Sequence, residues 1–280
     1  MKTRTFLQRA ATIPVLIGLA TIVQASPGLA ASFPDKNLET AVRSTLHLDD
    51  KVELNEEKLK NLYVLEANGK DVHDLTGLEA CPNLALIRLA KNQIVDLKAL
   101  KELGNLQSLD LAGNKIEDLT PLGGLTKLQY LKLADNQVKD VTPLAKLTKL
   151  AALDLSHNAI VELAPLGSLT GLASLYLAQN QIKGIAPLAN LTRLMTLDLS
   201  DNQIEDVSPL AKLSGLNLVE LPRNKVSDLA PLVDAAKADA EGPKRFAPFL
   251  RLYLAGNPLS DAAKGEQLAA LKSAGVRIMD

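Results

Sequence analysis

The sequence predicts an α/β solenoid, in which one short coil of chain recurs and its copies stack side by side. Three observations carry this prediction: a fixed period of 22 residues, a Leu-x-Leu segment in each period, and an asparagine soon after each segment. Repetition at such a period indicates units that cannot bury their apolar side chains alone and therefore share one core with their neighbours.

Seven regular copies follow the frame L-x-x-L-x-L-x-x-N-x-I-x-x-L-x-x-L-x-x-L-x-x. They begin at Leu84, Leu106, Leu128, Leu150, Leu172, Leu194 and Leu216. A degenerate copy begins earlier, at Leu62, with Lys70 at the asparagine position, and a partial copy begins at Phe249. We therefore expect the repeats to occupy residues 62–259.

Each copy contains two hydrophobic spacings. The L-x-L segment alternates with period 2, which predicts a short strand with both leucines on one face. The later L-x-x-L-x-x-L segment has a period near 3, typical of 3-10 turns or a tight extended return. A proline recurs at one place in that return, where a missing N–H costs little: Pro121, Pro143, Pro165, Pro187, Pro209 and Pro231. Stacked coils therefore place a parallel sheet on one side and short return segments on the other.

A column of asparagines lies just after the predicted strands. Its members are Asn92, Asn114, Asn136, Asn158, Asn180, Asn202, Asn224 and Asn257. An amide among leucines is unfavourable unless it is hydrogen-bonded, so we expect each side chain to bond backbone groups of its own coil and the adjacent one. We assign this column a structural role and not a role in ligand binding.

The first thirty residues have the pattern of an export leader. Basic residues between Lys2 and Arg9 precede the apolar stretch AATIPVLIGLATIV, and small residues then predict cleavage after Ala30, with Ala31 as an alternative. The other interpretation is an uncleaved anchor, which two prolines and a glycine disfavour because they interrupt a spanning helix. We predict a signal peptide over residues 1–30, a secreted or periplasmic protein, and no membrane span after cleavage.

Charge and cysteine content restrict the function further. The formal charge of −1 and the pI near 6.3 argue against nucleic-acid binding, which needs a surplus of Lys and Arg. Removal of the leader with its three cations leaves a charge of −4. The single Cys81 cannot form an internal disulfide, and its inward position indicates a small core residue.

No catalytic or metal-binding motif is recognisable in the sequence. A Walker loop, H-E-x-x-H, an EF-hand loop and a nucleophile elbow are all missing from it. His47, His73 and His157 fall on the predicted cap helix, the degenerate first copy and the fourth regular copy, too far apart to share a metal. Acid pairs such as Glu117–Asp118 are interpreted as solvated turn charges. We therefore expect a non-enzymatic protein with no catalytic residue, metal or cofactor.

The frame LxxLxLxxNQIxDLxPLxxLTx resembles the leucine-rich repeat proteins of bacterial cell surfaces, particularly the internalin-type subclass with 22-residue repeats. The segment FPDKNLETAVRSTLHL is similar to the helical cap that precedes the repeats in that group. The resemblance covers residues 32–280 and implies a leucine-rich repeat horseshoe with a concave parallel β-sheet, 3-10 or extended convex segments and helical caps at both ends. Such proteins act as adhesins, partner-binding modules or proteins of unknown role.

Caps are expected at both ends, because a terminal coil exposes its leucines. Residues 31–61 form the predicted helical N-terminal cap, in which Leu38, Val42 and Leu46 share one helical face. Residues 260–280 form the predicted C-terminal cap, with a helix that begins at Ser260.

One insertion interrupts the period. The distance from Leu216 to Phe249 is 33 residues, and the surplus lies near residues 233–248. One interpretation is a short surface helix that lengthens one coil. The other is a docking element with Lys244, Arg245 and Phe246 at its tip.

The functional prediction rests on the variable strand positions, whose side chains face outward from the concave sheet. Three of the four tyrosines lie there, and Tyr and Arg often dominate binding hot spots. The predicted partner-binding residues are Arg88, Asp110, Tyr130, Lys132, Asp154, Tyr176, Asp198, Glu220, Arg251 and Tyr253. The alternative is a solvated face on which opposite charges pair across strands.

These observations together predict a monomeric, exported protein that binds a protein partner through its concave face. A second hypothesis is a cell-envelope structural protein that binds glycans or wall polymer, with tyrosines stacked on sugars. A third, an intracellular scaffold of the phosphatase-regulator kind, fits the repeats but conflicts with the N-terminal leader.

Overall fold

The computed structural model describes residues 31–279, which form one solenoid of stacked coils. The predicted signal peptide lies outside these residues. Ten strands of the described chain form a single parallel sheet in the order β1 to β10, so that each strand pairs with its neighbours in sequence. The α/β solenoid predicted from the 22-residue period is confirmed.

Each strand is three residues long and keeps the register of the repeat. Leu109 pairs with Leu131, which pairs with Leu153, so inward side chains of successive coils lie side by side. The strands are β1 Val64–Glu66, β2 Leu86–Arg88, β3 Ser108–Asp110, β4 Tyr130–Lys132, β5 Ala152–Asp154, β6 Ser174–Tyr176, β7 Thr196–Asp198, β8 Leu218–Glu220, β9 Arg251–Tyr253 and β10 Arg277–Met279.

Short 3-10 turns return the chain between strands. Their prolines, from Pro121 to Pro209, lie at the second position of a turn, where a backbone N–H has no helical partner in any case. The turns are Leu78–Ala80, Lys98–Leu100, Thr120–Leu122, Thr142–Lys146, Ala164–Ser168, Ala186–Asn190 and Ser208–Lys212.

The aliphatic side chains of all coils form one continuous core. Within a single coil, Leu109, Leu111, Ile116, Leu119 and Leu122 are each at most 1% exposed. The same positions are buried in the next coil, so no coil has a separate core. This sharing is the physical reason why one coil cannot fold alone.

The asparagine ladder has the predicted bonding. The side-chain amide of Asn158 donates to the carbonyl oxygens of Leu133 (2.9 Å) and Leu155 (3.0 Å), which belong to two neighbouring coils. Its Oδ1 accepts the N–H of Val138 at 2.9 Å. The residue before the asparagine adopts a left-handed conformation in the successive coils, as at His157 (φ 56°), which turns the chain off the strand.

Helix α1 (Lys36–Leu46) covers the first coil and buries Leu38 and Val42. Its N-cap, Asp35, accepts the N–H of Leu38 at 3.0 Å and, through its other oxygen, the N–H of His73 at 2.7 Å. The cap is therefore joined to the first coil by hydrogen bonds as well as by packing. A one-turn helix, α2 (Glu56–Leu59), leads into the first repeat.

The C-terminal end is covered by a short helical segment. The hydroxyl of Ser260 accepts the N–H of Ala263 at 3.1 Å, and a π-helical turn over Ala263–Gln267 continues into α4 (Leu268–Ser273). Leu271 is fully buried against the last coils. Strand β10 follows directly and closes the sheet.

The insertion forms helix α3 (Ala230–Glu241), which begins where other copies have their 3-10 turn. The proposed docking tip is wrong at Phe246, because this side chain is only 3% exposed and belongs to the core. Phe249 was expected to point inward at the start of the last copy, but it is 59% exposed and Leu250 occupies the core instead. Because Phe246 packs into the core after the inserted helix, the chain reaches β9 with Leu250 turned inward and Phe249 turned outward.

Candidate partner-binding face

The outward residues of the ten strands form two columns, which we call the sheet face. The first column is Val64, Leu86, Ser108, Tyr130, Ala152, Ser174, Thr196, Leu218, Arg251 and Arg277; the second is Glu66, Arg88, Asp110, Lys132, Asp154, Tyr176, Asp198, Glu220, Tyr253 and Met279. All ten residues predicted from the sequence to bind a partner belong to these columns.

The site residues predicted from the sequence left out the outward positions of the two end strands of this face. Strand β1 adds Val64 and Glu66, and β10 adds Arg277 and Met279. The degenerate copy that begins at Leu62 indicated β1, but its outward residues were not included among the predicted partner-binding positions. For β10, the outward positions depend on its pairing with β9 across a helical segment that breaks the period.

The β1–β4 half of the sheet face neutralises its own charge. Arg88 pairs with Glu66 at 2.5 Å, and Lys132 pairs with Asp110 at 3.8 Å, in each case across adjacent strands. These side chains are half-exposed, apart from the more buried Asp110. This part of the surface matches the alternative interpretation of cross-strand charge pairing.

The aspartates of the second column are held by their own strand ends. Asp110, Asp154 and Asp198 each accept the backbone N–H of the residue two positions later, at 3.2, 3.1 and 2.9 Å. Asp198 also accepts the hydroxyl of Ser200 at 2.6 Å. These bonds fix the carboxylates on the face before any partner arrives.

The β5–β9 half carries acids between aromatic rings. Along the second column, Asp154, Tyr176, Asp198, Glu220 and Tyr253 occupy five consecutive strands. Burial raises the pKa of Glu220, the neighbouring Asp198 charge raises it further, and Arg251 acts in the opposite direction. Burial is therefore the main cause of the shift, and the Asp198 carboxylate adds to it.

Two tyrosines border a depression in the middle of the sheet face. Tyr130 on β4, which is 53% exposed, and Tyr176 on β6 lie on either side of the small Ala152 on β5. Lys132 and Asp154 complete the lining, with the leucines of the strands beneath. Because Ala152 has no bulk, the tyrosine rings have an open slot between them.

Chemistry-bearing groups elsewhere in residues 31–279 do not assemble into a metal site, since no group of three His, Cys, Asp or Glu has suitable geometry there. His73 and His157 lie on separate coils, and His157 is 3.3 Å from Asp135 of the neighbouring coil. The described part of the chain also has no helix with the length and apolar character needed to span a bilayer.

Known proteins provide an independent comparison. A family model described as leucine-rich repeats (2 copies) matches residues 82–124, 104–146, 126–170 and 170–212. Comparison with curated protein sequences gives no significant match. The crystal structure of internalin C2 from Listeria monocytogenes is 37% identical, covers 72% of this chain and 90% of its own, and superposes with a TM-score of 0.70.

A leucine-rich repeat protein of Leptospira interrogans has the same fold at 22% identity. It covers 80% of this chain and 62% of its own, with a TM-score of 0.61. The sequence identity to internalin C2 across most of both chains, together with the shared 22-residue coil, assigns the family. This chain belongs to the internalin-type leucine-rich repeat proteins.

Proposed function

We propose that this protein is an exported, non-enzymatic scaffold that binds a protein partner through its sheet face. The observation that carries the proposal is the placement of Tyr130, Tyr176 and Tyr253 on one rigid surface, beside carboxylates fixed by backbone hydrogen bonds. Tyrosines supply large contact areas at low conformational entropy, and fixed acids reduce the entropy lost on binding.

The dimensions of the face favour a macromolecular partner. Ten strands spaced about 4.8 Å apart give a sheet roughly 43 Å across. Small-molecule sites are enclosed cavities that bury most of the ligand, whereas a long, shallow surface matches the area of a protein–protein interface. The leucine-rich repeat fold also supports a role as a protein-interaction scaffold.

Export is supported by the sequence of residues 1–30, with its basic start, apolar stretch and small residues before Ala31. The non-enzymatic assignment is supported by the scattered positions of the histidines and the burial of Cys81. Neither group lies on the sheet face.

Capture of partners from a cell-envelope extract tests this proposal. We expect the purified protein to retain a partner that the Tyr130→Ala/Tyr176→Ala/Tyr253→Ala variant loses. The matched control is Tyr63→Ala/Val95→Ala/Val161→Ala, which removes exposed apolar side chains outside the two columns. Equal capture by wild type and the sheet-face variant would contradict the assignment of the site.

A wall polymer is the second candidate occupant, because the slot between Tyr130 and Tyr176 has the open aromatic sides on which sugar rings stack. Sedimentation with purified wall material separates the two. Pelleting that depends on these tyrosines, without selective capture of a protein, would favour the polymer.

A further inference from the structure

We propose that the β5–β9 half of the sheet face receives an arginine-bearing segment of the partner, whose guanidinium groups meet the carboxylates between the tyrosines. This inference rests on the proposed function, since it names the chemistry of the partner at the same face. It follows from a difference in charge pairing: the carboxylates of the β1–β4 half form cross-strand ion pairs, whereas those of the β5–β9 half do not.

The first half leaves no charge for a partner to neutralise. Acids and bases alternate in the second column from Glu66 to Lys132, and both neighbouring pairs form cross-strand ion pairs. Exposed ion pairs of this kind satisfy each other's charge, and a partner that binds there must break them or accommodate them.

The second half has three carboxylates and no internal counter-ion in its column. Among residues 31–279, no Lys or Arg lies within ion-pair distance of Asp154, Asp198 or Glu220. The nearby cations form no ion pair with these three carboxylates: Lys132 pairs with Asp110, and Arg223 is held by both carboxylate oxygens of Asp201. Arg251, in the other column of β9, lowers the pKa of Glu220 through its charge but forms no ion pair with it.

The aromatic residues select the kind of cation. Tyr176 and Tyr253 are at the two ends of the Asp198–Glu220 pair, and Tyr130 is diagonal to Tyr176 across Ala152. A guanidinium group stacks on an aromatic face while its N–H groups bond a carboxylate, a combination that an ammonium group reproduces less well. Tyrosines beside fixed aspartates therefore favour arginine over lysine.

The carboxylates need little rearrangement to accept such a group. The Oδ1 atoms of Asp154 and Asp198 bond backbone N–H groups of their own strand ends, and each carboxylate keeps Oδ2 for an outside donor. Glu220 adds a third acceptor on the next strand. A partner segment that runs across β5–β9 therefore contacts carboxylate acceptors and tyrosine rings along its length.

Fluorescence anisotropy with a labelled peptide of five Arg-Gly units tests the inference on the purified full chain. We expect the double variant Asp198→Asn/Glu220→Gln to weaken binding by about tenfold or more, because each substitution removes a negative charge and retains the size of the side chain. The matched control, Glu162→Gln/Glu205→Gln, makes the same net change in charge at exposed positions outside the sheet face and should change binding less than about twofold. A Lys-Gly peptide should bind more weakly than the Arg-Gly peptide.

Three outcomes would overturn the inference: no binding of the Arg-Gly peptide to wild type, equal weakening by both variants, or tighter binding of a Glu-Gly peptide. Envelope capture with Asp198→Asn/Glu220→Gln separates this inference from the proposed function. If this variant keeps the partner that the tyrosine variant loses, the sheet face binds a protein but the arginine assignment is wrong. If both variants keep it, the proposed function fails as well.

Discussion

The asparagine ladder shows how single residues join the coils. In the coils that carry Asn92 to Asn257, one asparagine satisfies carbonyl groups of two coils and at least one N–H of the preceding coil, so its loss affects two units. The same residue type is needed each time because only a short amide supplies both donors and an acceptor at this reach. This explains why asparagine recurs at this position in every copy except the degenerate first one, where Lys70 stands.

Replacement of Asn180 by Ala should lower the free energy of unfolding by about 1–3 kcal/mol, because it leaves buried backbone groups unpaired. The groups affected are the carbonyls of Leu155 and Leu177 and the N–H of Ile160. Urea denaturation followed by circular dichroism measures the change. The exposed neighbour Gln181 is the control, and Gln181→Ala should stay within about 0.5 kcal/mol of wild type. Equal stability of the two variants would show that the ladder contributes little.

Cys81 should be chemically inert in the folded protein. Its side chain is buried, and burial followed by the charge of Glu79 raises the pKa of the thiol to about 12. The thiolate is the reactive form, so we expect iodoacetamide to leave Cys81 unmodified at pH 8 and to alkylate it in urea. Mass spectrometry of the two samples measures this, and rapid alkylation without urea would contradict the burial of Cys81.

At the scale of elements, a column of aspartates hydrogen-bonds the first residue of the return segments. Asp118 accepts the N–H of Thr120 at 2.8 Å, and the Thr120 hydroxyl and N–H lower its pKa. Equivalent bonds recur at Asp96, Asp140, Asp206 and Asp228. The interpretation of Asp118 as an exposed turn charge was correct in position, but the bond to the turn gives it a structural role.

The inserted element depends on Asp239, near the C-terminal end of α3. Its carboxylate accepts the N–H groups of Arg245, Phe246 and Ala247 at 2.9–3.0 Å, which folds the loop back and buries Phe246. Asp239→Ala should therefore destabilise the protein by about 1–3 kcal/mol. Hydrogen exchange should become faster in residues 242–250 in particular, whereas Asp234→Ala, at an exposed position on the same helix, serves as the control.

The stability supplied by Asp239 should also depend on pH. Burial alone raises its pKa, but the three N–H groups and the charge of Arg245 outweigh burial, so the folded-state pKa lies below the ordinary value of 3.8. The contribution is therefore complete above that value and is lost as the pH falls through the folded-state pKa. The difference in unfolding free energy between wild type and Asp239→Asn should shrink below about pH 4. A constant difference down to pH 2 would contradict the lowered pKa.

At the scale of the whole molecule, the fold was predictable because the leucine spacing that produces it recurs every 22 residues. Each leucine position repeats one environment, so the spacing of Leu109 and Leu111 predicts the strand wherever the motif occurs. The burial of Phe246 and the exposure of Phe249 were not predictable, because they depend on how one helix fills a gap found in a single coil.

The composition of the candidate site was predictable, but its division into two halves was not. The alternation of strand residues identifies which side chains face outward. Whether Lys132 pairs with Asp110 or with Asp154 depends on side-chain geometry across strands, which the sequence does not specify. This choice of pairing leaves Asp154 available and makes β5–β9 the acidic half.

The most direct measurement is photo-cross-linking of the protein to its captured partner from defined positions. A photoreactive amino acid at Thr196 lies on the sheet face, whereas one at the exposed Val161 lies outside the two columns. If the sheet face binds the partner, Thr196 gives a cross-linked product and Val161 does not. Cross-linking from Val161 alone would contradict the account.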